Sequence, residues 1–310
     1  MARKFSHRHL LDIERLSVAD IDAILNLAER CHKSKTTKKS AKFSGRTLVN
    51  LFFEPSTRTR TSFEIAAKKI GLEVINILID SSSTKKGETL LDMVEALDAM
   101  RVDAVVVRHA EDGIPQFLAP HVKGSIINAG DGKHEHPTQA LLDALVMRRH
   151  KKKLKGLTVA ICGDIQHSRV ARSNIYLLNK FGAKVRIIAP SYFMPQDISK
   201  LGVEAFDNMK EGLSGVDVVM MLRIQHERLG EGEFAVSLKE YHRDFGLNHE
   251  KIKFAKPNVI VMHPGPVNRD VEISGELADD PKYSVIREQV AAGVPTRMAV
   301  LELLLGNHKK

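Results

Sequence analysis

Residues 47–79 read TLVNLFFEPSTRTRTSFEIAAKKIGLEVINILI. The stretch has the pattern of a strand, a helix and a second strand, which is the unit from which parallel sheets are built. The apolar run 47–53 predicts a buried strand, residues 62–70 have helical periodicity, and residues 74–79 predict the next strand. These 33 residues therefore predict an α/β fold with a parallel sheet.

The same alternation of strands and helices runs through the rest of the chain. Further helices are predicted at 18–31, 90–100, 138–149 and about 170–180, and further strands at 104–107, 125–128, 157–162, 185–188, 218–221 and 259–262. Because the basic run 151–153 interrupts the pattern, we predict two parallel-sheet α/β lobes, 1–150 and 151–289. Residues 284–304 are expected to be helical but divided in two by Gly293 and Pro295, and a C-terminal helix at about 290–310 is expected to complete the first lobe.

The composition places the chain among ordinary globular proteins. It has 310 residues, of which 43% are hydrophobic and 27% are charged. Its apolar runs are far shorter than the roughly 20 residues that cross a bilayer, so no membrane association is expected. The basic N-terminus lacks the apolar segment of a secretory signal. Cys31 and Cys162 match no metal or redox spacing, which favours a cytoplasmic location.

The net charge of +9 is compatible with nucleic-acid binding, with anionic small molecules or with solubility alone. The chain has no Trp and only four Tyr, so few rings are present on which bases could stack. The basic clusters also lie in loop-like or terminal contexts. Nucleic acid is therefore not expected as a partner.

Polar clusters follow the predicted strands. They occupy residues 54–60, 108–109, 130–139, 163–169, 222–225 and 263–266. Ligands of parallel sheets bind at the carboxyl ends of the strands. The clusters are therefore predicted to form a binding site.

The first cluster, EPSTRTR, is rich in hydrogen-bond donors and directly precedes a predicted helix. Free backbone amides and the helix dipole favour an anion there, and the hydroxyls of Ser56, Thr57 and Thr59 with the Arg58 guanidinium suit phosphate oxygens. The alternative interpretation is a plain helix N-cap followed by a solvated basic turn. The cluster is not a nucleotide P-loop, because both of the glycine-rich nucleotide motifs are absent.

Several of these clusters resemble the motifs of the aspartate/ornithine carbamoyltransferase family. The first resembles its carbamoyl-phosphate signature, and the resemblance extends through HPTQ at 136–139, GD at 163–164 with HSR at 167–169, and HPGP at 263–266. It covers essentially the whole chain. The resemblance implies a carbamoyl-phosphate lobe and a Rossmann-like aspartate lobe with the active site between them.

The resemblance also implies roles for individual residues. The catalytic residues would be Thr59, Arg108 and His136, which would contact the oxyanion of the reacting carbonyl. Glu54 would organise the arginines between the lobes rather than act as a base, and Arg60 is left without a substrate contact. The residues that would bind carbamoyl phosphate are Ser56, Thr57, Arg58, Thr59, Arg108, His136, Gln139, Gly265 and Pro266.

The second lobe indicates which amino acid accepts the carbamoyl group. Residues 221–228 and 263–266 are similar to the members of the family that use aspartate, not ornithine. Arg169 and Arg223 provide two guanidinium groups for the two carboxylates of aspartate, and they would repel a cationic side chain. Gln225 and Lys86 would complete this site. The resemblance thus implies transfer of a carbamoyl group from carbamoyl phosphate to L-aspartate, an early step of pyrimidine synthesis.

The polar stretch 81–89 reads from its residues alone as a flexible loop before a helix, where Thr89 or Ser83 is a possible cap. By resemblance it is a loop that the adjacent subunit inserts into the active site, with Ser82 and Lys86 as the contributors. Lys85 is the alternative lysine. A homotrimer with shared active sites would follow, and assembly with regulatory or dihydroorotase-like chains remains open.

Other interpretations of the chain lead to different expectations. His134-Glu135-His136 resembles a zinc motif, but no further ligand set accompanies it, so neither a metal nor a cofactor is expected. A carbamoyltransferase with another amino acceptor would be distinguished by assays with aspartate and with ornithine. A catalytically silent scaffold or a basic nucleic-acid binder would release no phosphate and would show salt-sensitive binding to DNA or RNA.

Overall fold

The computed structural model of the protein describes residues 5–34, 42–78, 88–224 and 237–306. It divides into two compact units, Met1–Leu145 with Ala291–Lys310, and Val146–Val290. Both contain a parallel sheet with helices, which confirms the predicted fold class. None of the helices described is both long enough and apolar enough to span a membrane.

The first unit contains a parallel sheet in the order β2-β1-β3-β4. Its elements are α1 (Val18–Lys33), β1 (Thr47–Phe52), α2 (Thr57–Ile70), β2 (Glu73–Leu78), α3 (Leu90–Ala99), β3 (Ala104–His109), α4 (Ile114–Leu118), β4 (Ser125–Asp131) and α5 (Pro137–Lys151), which crosses the unit boundary. Alternate residues of β1 and β3, among them Leu51 and Val107, pack with α3 in an apolar core.

The second unit contains a parallel sheet in the order β7-β6-β5-β8-β9. Its elements are β5 (Thr158–Cys162), α6 (Arg169–Lys180), β6 (Lys184–Ile188), β7 (Glu204–Phe206), α7 (Met209–Leu213), β8 (Val218–Met221), α8 (Leu238–Phe245), β9 (Ile260–Met262) and α9 (Gly275–Asp279). The sequence pattern did not predict α4, β7, α7, α8 or α9. These elements have too few residues for a clear periodicity.

The last helix, α10, runs from Ile286 to Leu305 with Pro295 inside it, so the predicted division into two helices is wrong. An interior proline costs about 3 kcal/mol because it removes a backbone donor. Burial of the apolar residues Val300, Leu301 and Leu304 in the same helix offsets that cost.

The N-cap residues of α3 and α2 differ in their hydrogen bonds. Thr89 caps α3 through a reciprocal pair with Asp92, as one of the two predicted caps. Ser56 occupies the N-cap position of α2, but its hydroxyl makes no capping hydrogen bond. The donors at the start of α2 are therefore not used by its own cap.

Candidate active site

The carboxyl ends of β1, β3 and β4 lie along one edge of the first sheet, because these parallel strands are direct neighbours. Phe52 pairs with Arg108 across β1 and β3, and the Phe53 amide donates to the Arg108 carbonyl over 2.9 Å. This register places the EPSTRTR loop directly beside Arg108.

The start of α2 has the features of an anion site. Ser56 is half-buried, Thr57 and Arg58 are exposed, and Thr59 is buried at 8% exposure. No acidic residue lies in the first turn of this 14-residue helix. The amides of the first turn and the helix dipole therefore favour a bound anion without a competing carboxylate.

Glu54 and Ala129 both contact the Arg108 guanidinium. Its Nε atom lies 3.2 Å from Oε2 of Glu54, in the loop after β1, and its Nη1 donates to the Ala129 carbonyl of β4 over 3.2 Å. The fork of Arg108 is thus oriented from both neighbouring strands. Glu54 thus orients an arginine of its own unit, and its role toward arginines between the lobes stays a prediction.

The loop between β4 and α5 is organised by Asp131, which is fully buried. Its carboxylate accepts hydrogen bonds from Asn128 Nδ2 (2.7 Å), the Gly113 amide (2.8 Å) and the Glu135 amide (3.1 Å), and lies 2.9 Å from His134 Nδ1. Burial alone would raise the pKa of Asp131, but the hydrogen bonds from His134, Asn128 and Gly113 outweigh it and lower the pKa. The hydrogen bond to Asp131 raises the pKa of His134.

Glu135 fixes the same loop from its other side. Its buried carboxylate accepts from the amides of Ile13 (2.9 Å) and Glu14 (3.4 Å). His134 is thus engaged in the structure of the loop through Asp131, whereas the metal interpretation would make it a ligand. Within the described ranges, no group of three or more His, Cys, Asp or Glu side chains could hold a metal ion.

His136 and Gln139 stand at the junction of this loop with α5. Both side chains are buried, and the backbone amide of Gln139 donates to the backbone carbonyl of His136 over 3.0 Å. The structure therefore gathers the predicted residues of the first unit, Ser56 to Thr59, Arg108, His136 and Gln139, along one sheet edge.

In the second unit, the carboxyl ends of β5, β8 and β9 lie along one edge in the same way. The Leu222 amide donates to the Cys162 carbonyl over 2.8 Å. Gly163 has φ +119°, and a Cβ there would lie 2.7 Å from the Leu222 carbonyl oxygen, so this close approach requires glycine. The loops that lead to Arg169 and Arg223 therefore start side by side.

A buried carboxylate and imidazole organise the loop that leads to Arg169. Asp164 Oδ1 lies 2.8 Å from His167 Nδ1 and accepts from the His167 amide over 3.1 Å. Ser168 then caps α6 by accepting from the Ala171 amide. Arg169, the first residue of α6, is only 5% exposed. Sequence reasoning gave Asp164 and His167 no role, although their spacing of three residues was the available signal.

The loop with Gly265 and Pro266 has its own buried pair. His263 Nε2 lies 3.0 Å from Glu272 Oε1, and the Gly265 amide donates to His263 Nδ1 over 2.8 Å. Nε2 therefore carries the proton that is donated to Glu272. The peptide bond between Gly265 and Pro266 is cis. Sequence reasoning missed Glu272, which holds this loop from outside the HPGP motif.

Three predicted site residues lie outside the described residues: Ser82, Lys86 and Gln225. The alternative lysine, Lys85, and the alternative cap, Ser83, also lie outside them.

Comparison with known proteins supplies the family. A model described as the carbamoyl-P binding domain of aspartate/ornithine carbamoyltransferase matches residues 8–149, and the Asp/Orn binding domain of the same family matches residues 155–304. The chain belongs to the aspartate/ornithine carbamoyltransferase family. The two matches together span nearly all of it.

Relatives within this family are similar over almost their full lengths. The aspartate carbamoyltransferase catalytic subunit of Rhodospirillum rubrum is 56% identical over 306 residues, which is 98% of this chain and 96% of that one. Aspartate transcarbamoylase of Trypanosoma cruzi, solved with carbamoyl phosphate and aspartate, is 31% identical with a TM-score of 0.87, over 97% of this chain and 98% of that one. Ornithine carbamoyltransferase of Pyrococcus furiosus is 27% identical with a TM-score of 0.86, over 99% of this chain and all of that one. Enzymes for aspartate and for ornithine therefore share this fold, so the fold by itself does not distinguish the two amino acids.

Proposed function

We propose that this chain is an aspartate carbamoyltransferase, which converts carbamoyl phosphate and L-aspartate to N-carbamoyl-L-aspartate and phosphate for pyrimidine synthesis. One observation carries the choice of aspartate: Arg169 and Arg223 follow β5 and β8, which are neighbours in one sheet. Two guanidinium groups match the two carboxylates of aspartate. The relative from R. rubrum, named as an aspartate enzyme, supports the same choice.

Carbamoyl phosphate binds first in this proposal. Its phosphate is held by the start of α2, from Ser56 to Thr59, and by Arg108. His136 and Arg108 donate to the carbonyl oxygen. Gln139 and the backbone of Gly265 and Pro266 bind the amide end.

Aspartate is then held by Arg169, Arg223, Gln225 and Lys86, which aligns its neutral amine with the carbamoyl carbon. The amine nitrogen bonds to that carbon and the carbonyl oxygen becomes an oxyanion. Thr59, Arg108 and His136 stabilise the oxyanion. The bond from carbon to the bridging oxygen then breaks, and the departing phosphate takes the proton that the amine loses. No step is assigned to a metal or cofactor.

Phosphate release from carbamoyl phosphate, measured with each of a panel of amino acids, tests this function. Aspartate should support release at least about 100-fold faster than ornithine, because ornithine brings a cation to two arginines. Release with ornithine but not aspartate would reverse the choice of acceptor. No release with any amino acid would favour a scaffold without catalytic activity.

We further propose that the enzyme works in the cytoplasm as a homotrimer whose adjacent subunit contributes Ser82 and Lys86 to each site. The support is the resemblance of the stretch 81–89 to the shared loop of the family. Mixing inactive Lys86→Ala and Arg58→Ala chains should restore activity, because hybrid trimers would contain intact sites. Failure to recover activity after confirmed subunit exchange would refute shared sites. The proposal also allows the trimer to assemble further with regulatory or dihydroorotase-like chains.

A further inference from the structure

The side chain of Gln139 has a defined orientation. Its Nε2 atom donates to Oδ1 of Asp143 over 2.9 Å, one turn further along α5. An ionised carboxylate only accepts hydrogen bonds, so it selects the NH2 group of the amide and not the carbonyl group. Nε2 is consequently the branch of the Gln139 side-chain amide that faces Asp143, and the acceptor Oε1 is the other branch.

Arg297 of α10 keeps a positive charge near Asp143. The guanidinium is buried, with the residue 3% exposed, and its Nη2 lies 3.4 Å from the Thr138 hydroxyl. Burial lowers the pKa of Arg297 to about 10, and the negative charge of Asp143 opposes this shift. Arg297 therefore stays protonated at neutral pH, close to the carboxyl group of Asp143.

The packing of Arg297 is specific. Its guanidinium carbon lies 4.9 Å from the centre of the Phe63 ring, which belongs to the helix that begins at the EPSTRTR loop. A Cβ on Gly293 would lie 2.5 Å from Arg297 Nη1, so the absence of a side chain there makes room for the guanidinium. Gly293, which predicted a helix break, thus has a packing role.

We propose that Asp143 is a positioning residue that, through its hydrogen bond with Nε2 of Gln139, directs the Oε1 acceptor of Gln139 toward the NH2 group of carbamoyl phosphate. The inference rests on the proposed function, since it assigns the chemistry that Gln139 recognises. An Oε1 atom directed in this way should make the enzyme prefer carbamoyl phosphate to phosphates that lack the NH2 group. Acetyl phosphate has the same phosphate and carbonyl groups but a methyl in place of NH2, and it cannot donate to Oε1.

The test compares three phosphates in the full-length enzyme and in Asp143→Asn. In the wild type, the KM for carbamoyl phosphate should lie well below the inhibition constant of acetyl phosphate. The side-chain amide that this substitution introduces can donate as well as accept, so it no longer selects one orientation of Gln139. The variant should bind carbamoyl phosphate about 10-fold more weakly, whereas the inhibition constants of acetyl phosphate and inorganic phosphate should change less than about twofold.

Additional variants separate positioning from folding. Asp143→Asn leaves the Arg297 charge without its counter-charge, which can destabilise the fold. Asp143→Ala combined with Arg297→Met removes both charges and should show the same selective loss. Arg297→Lys keeps the charge and should retain the wild-type preference. Asp20→Asn, at the cap of α1, is the control for loss of a buried carboxylate.

Two results would overturn the positioning role. One is an unchanged preference for carbamoyl phosphate in both the Asp143→Asn and double variants. The other is an equal loss for all three phosphates, which would indicate a purely structural effect. A wild-type enzyme that neither binds nor turns over carbamoyl phosphate would instead refute the proposed function, and with it this inference.

Discussion

Replacing Arg108 with Ala is expected to lower kcat by about 10³-fold or more, with only a small effect on folding. Loss of a single oxyanion donor typically costs about 10²- to 10³-fold. Arg108 is proposed to donate both to the oxyanion and to the departing phosphate. The loss of kcat in Arg108→Ala should therefore reach or exceed the upper end of that range. Its side chain is held by Glu54 and the Ala129 carbonyl, which orients the guanidinium before substrate binds.

The control for Arg108→Ala is Arg60→Ala, which removes the same charge from the first turns of α2, at a position with no assigned substrate contact. Steady-state assays at saturating aspartate, with melting temperatures for both variants, make the comparison. Near-normal turnover in Arg108→Ala would contradict the assigned site. Equal losses of turnover in both variants would indicate that turnover depends on the positive charge of this region and not on a specific contact of Arg108.

Replacing Arg223 with Ala should raise the KM for aspartate by about 100-fold and leave the KM for carbamoyl phosphate within about threefold. A hydrogen-bonded guanidinium–carboxylate contact is worth about 1.5–3 kcal/mol, which corresponds to roughly 10- to 150-fold in affinity. The loss should fall on aspartate because Arg223 follows β8 in the second unit, whereas the phosphate site is proposed in the first.

Arg172→Ala provides the matched control for Arg223. Arg172 lies one turn along α6 from Arg169 and faces Asp197 at 4.0 Å, and it has no assigned contact with substrate. Initial rates across both substrate concentrations separate the two KM values. A similar rise in both KM values for Arg223→Ala would argue against a carboxylate clamp.

Much of the fold follows from local pattern. The strands β1, β3, β5 and β8 contain apolar runs that are buried in the structure, and a polar cluster begins within two residues of the end of each strand. Because parallel strands present their carboxyl ends at one edge, the sequence also predicts which polar clusters come together within each unit. The continuity of α10 was not predictable in this way, since burial of its apolar residues outweighs the local preference of Pro295.

The groups that hold the site in place are the part that sequence did not predict. Asp143 and Arg297 are far apart in sequence, and they interact because the parts of α5 and α10 that carry them belong to the same unit. His263 and Glu272 are nine residues apart and are joined by a loop whose path no periodicity specifies. Buried polar pairs of this kind depend on tertiary packing, so a pattern of residue types does not identify the partners.

The most direct test of the proposed site is a crystal structure of this chain with N-phosphonacetyl-L-aspartate, which links a phosphonate to the aspartate nitrogen through an acetyl group. We predict one molecule per chain, with the phosphonate on the amides and hydroxyls of Ser56 to Thr59 and on Arg108. Its carbonyl should accept from His136, and its two carboxylates should contact Arg169 and Arg223. A phosphonate bound away from the start of α2, or carboxylates without either arginine, would contradict the account.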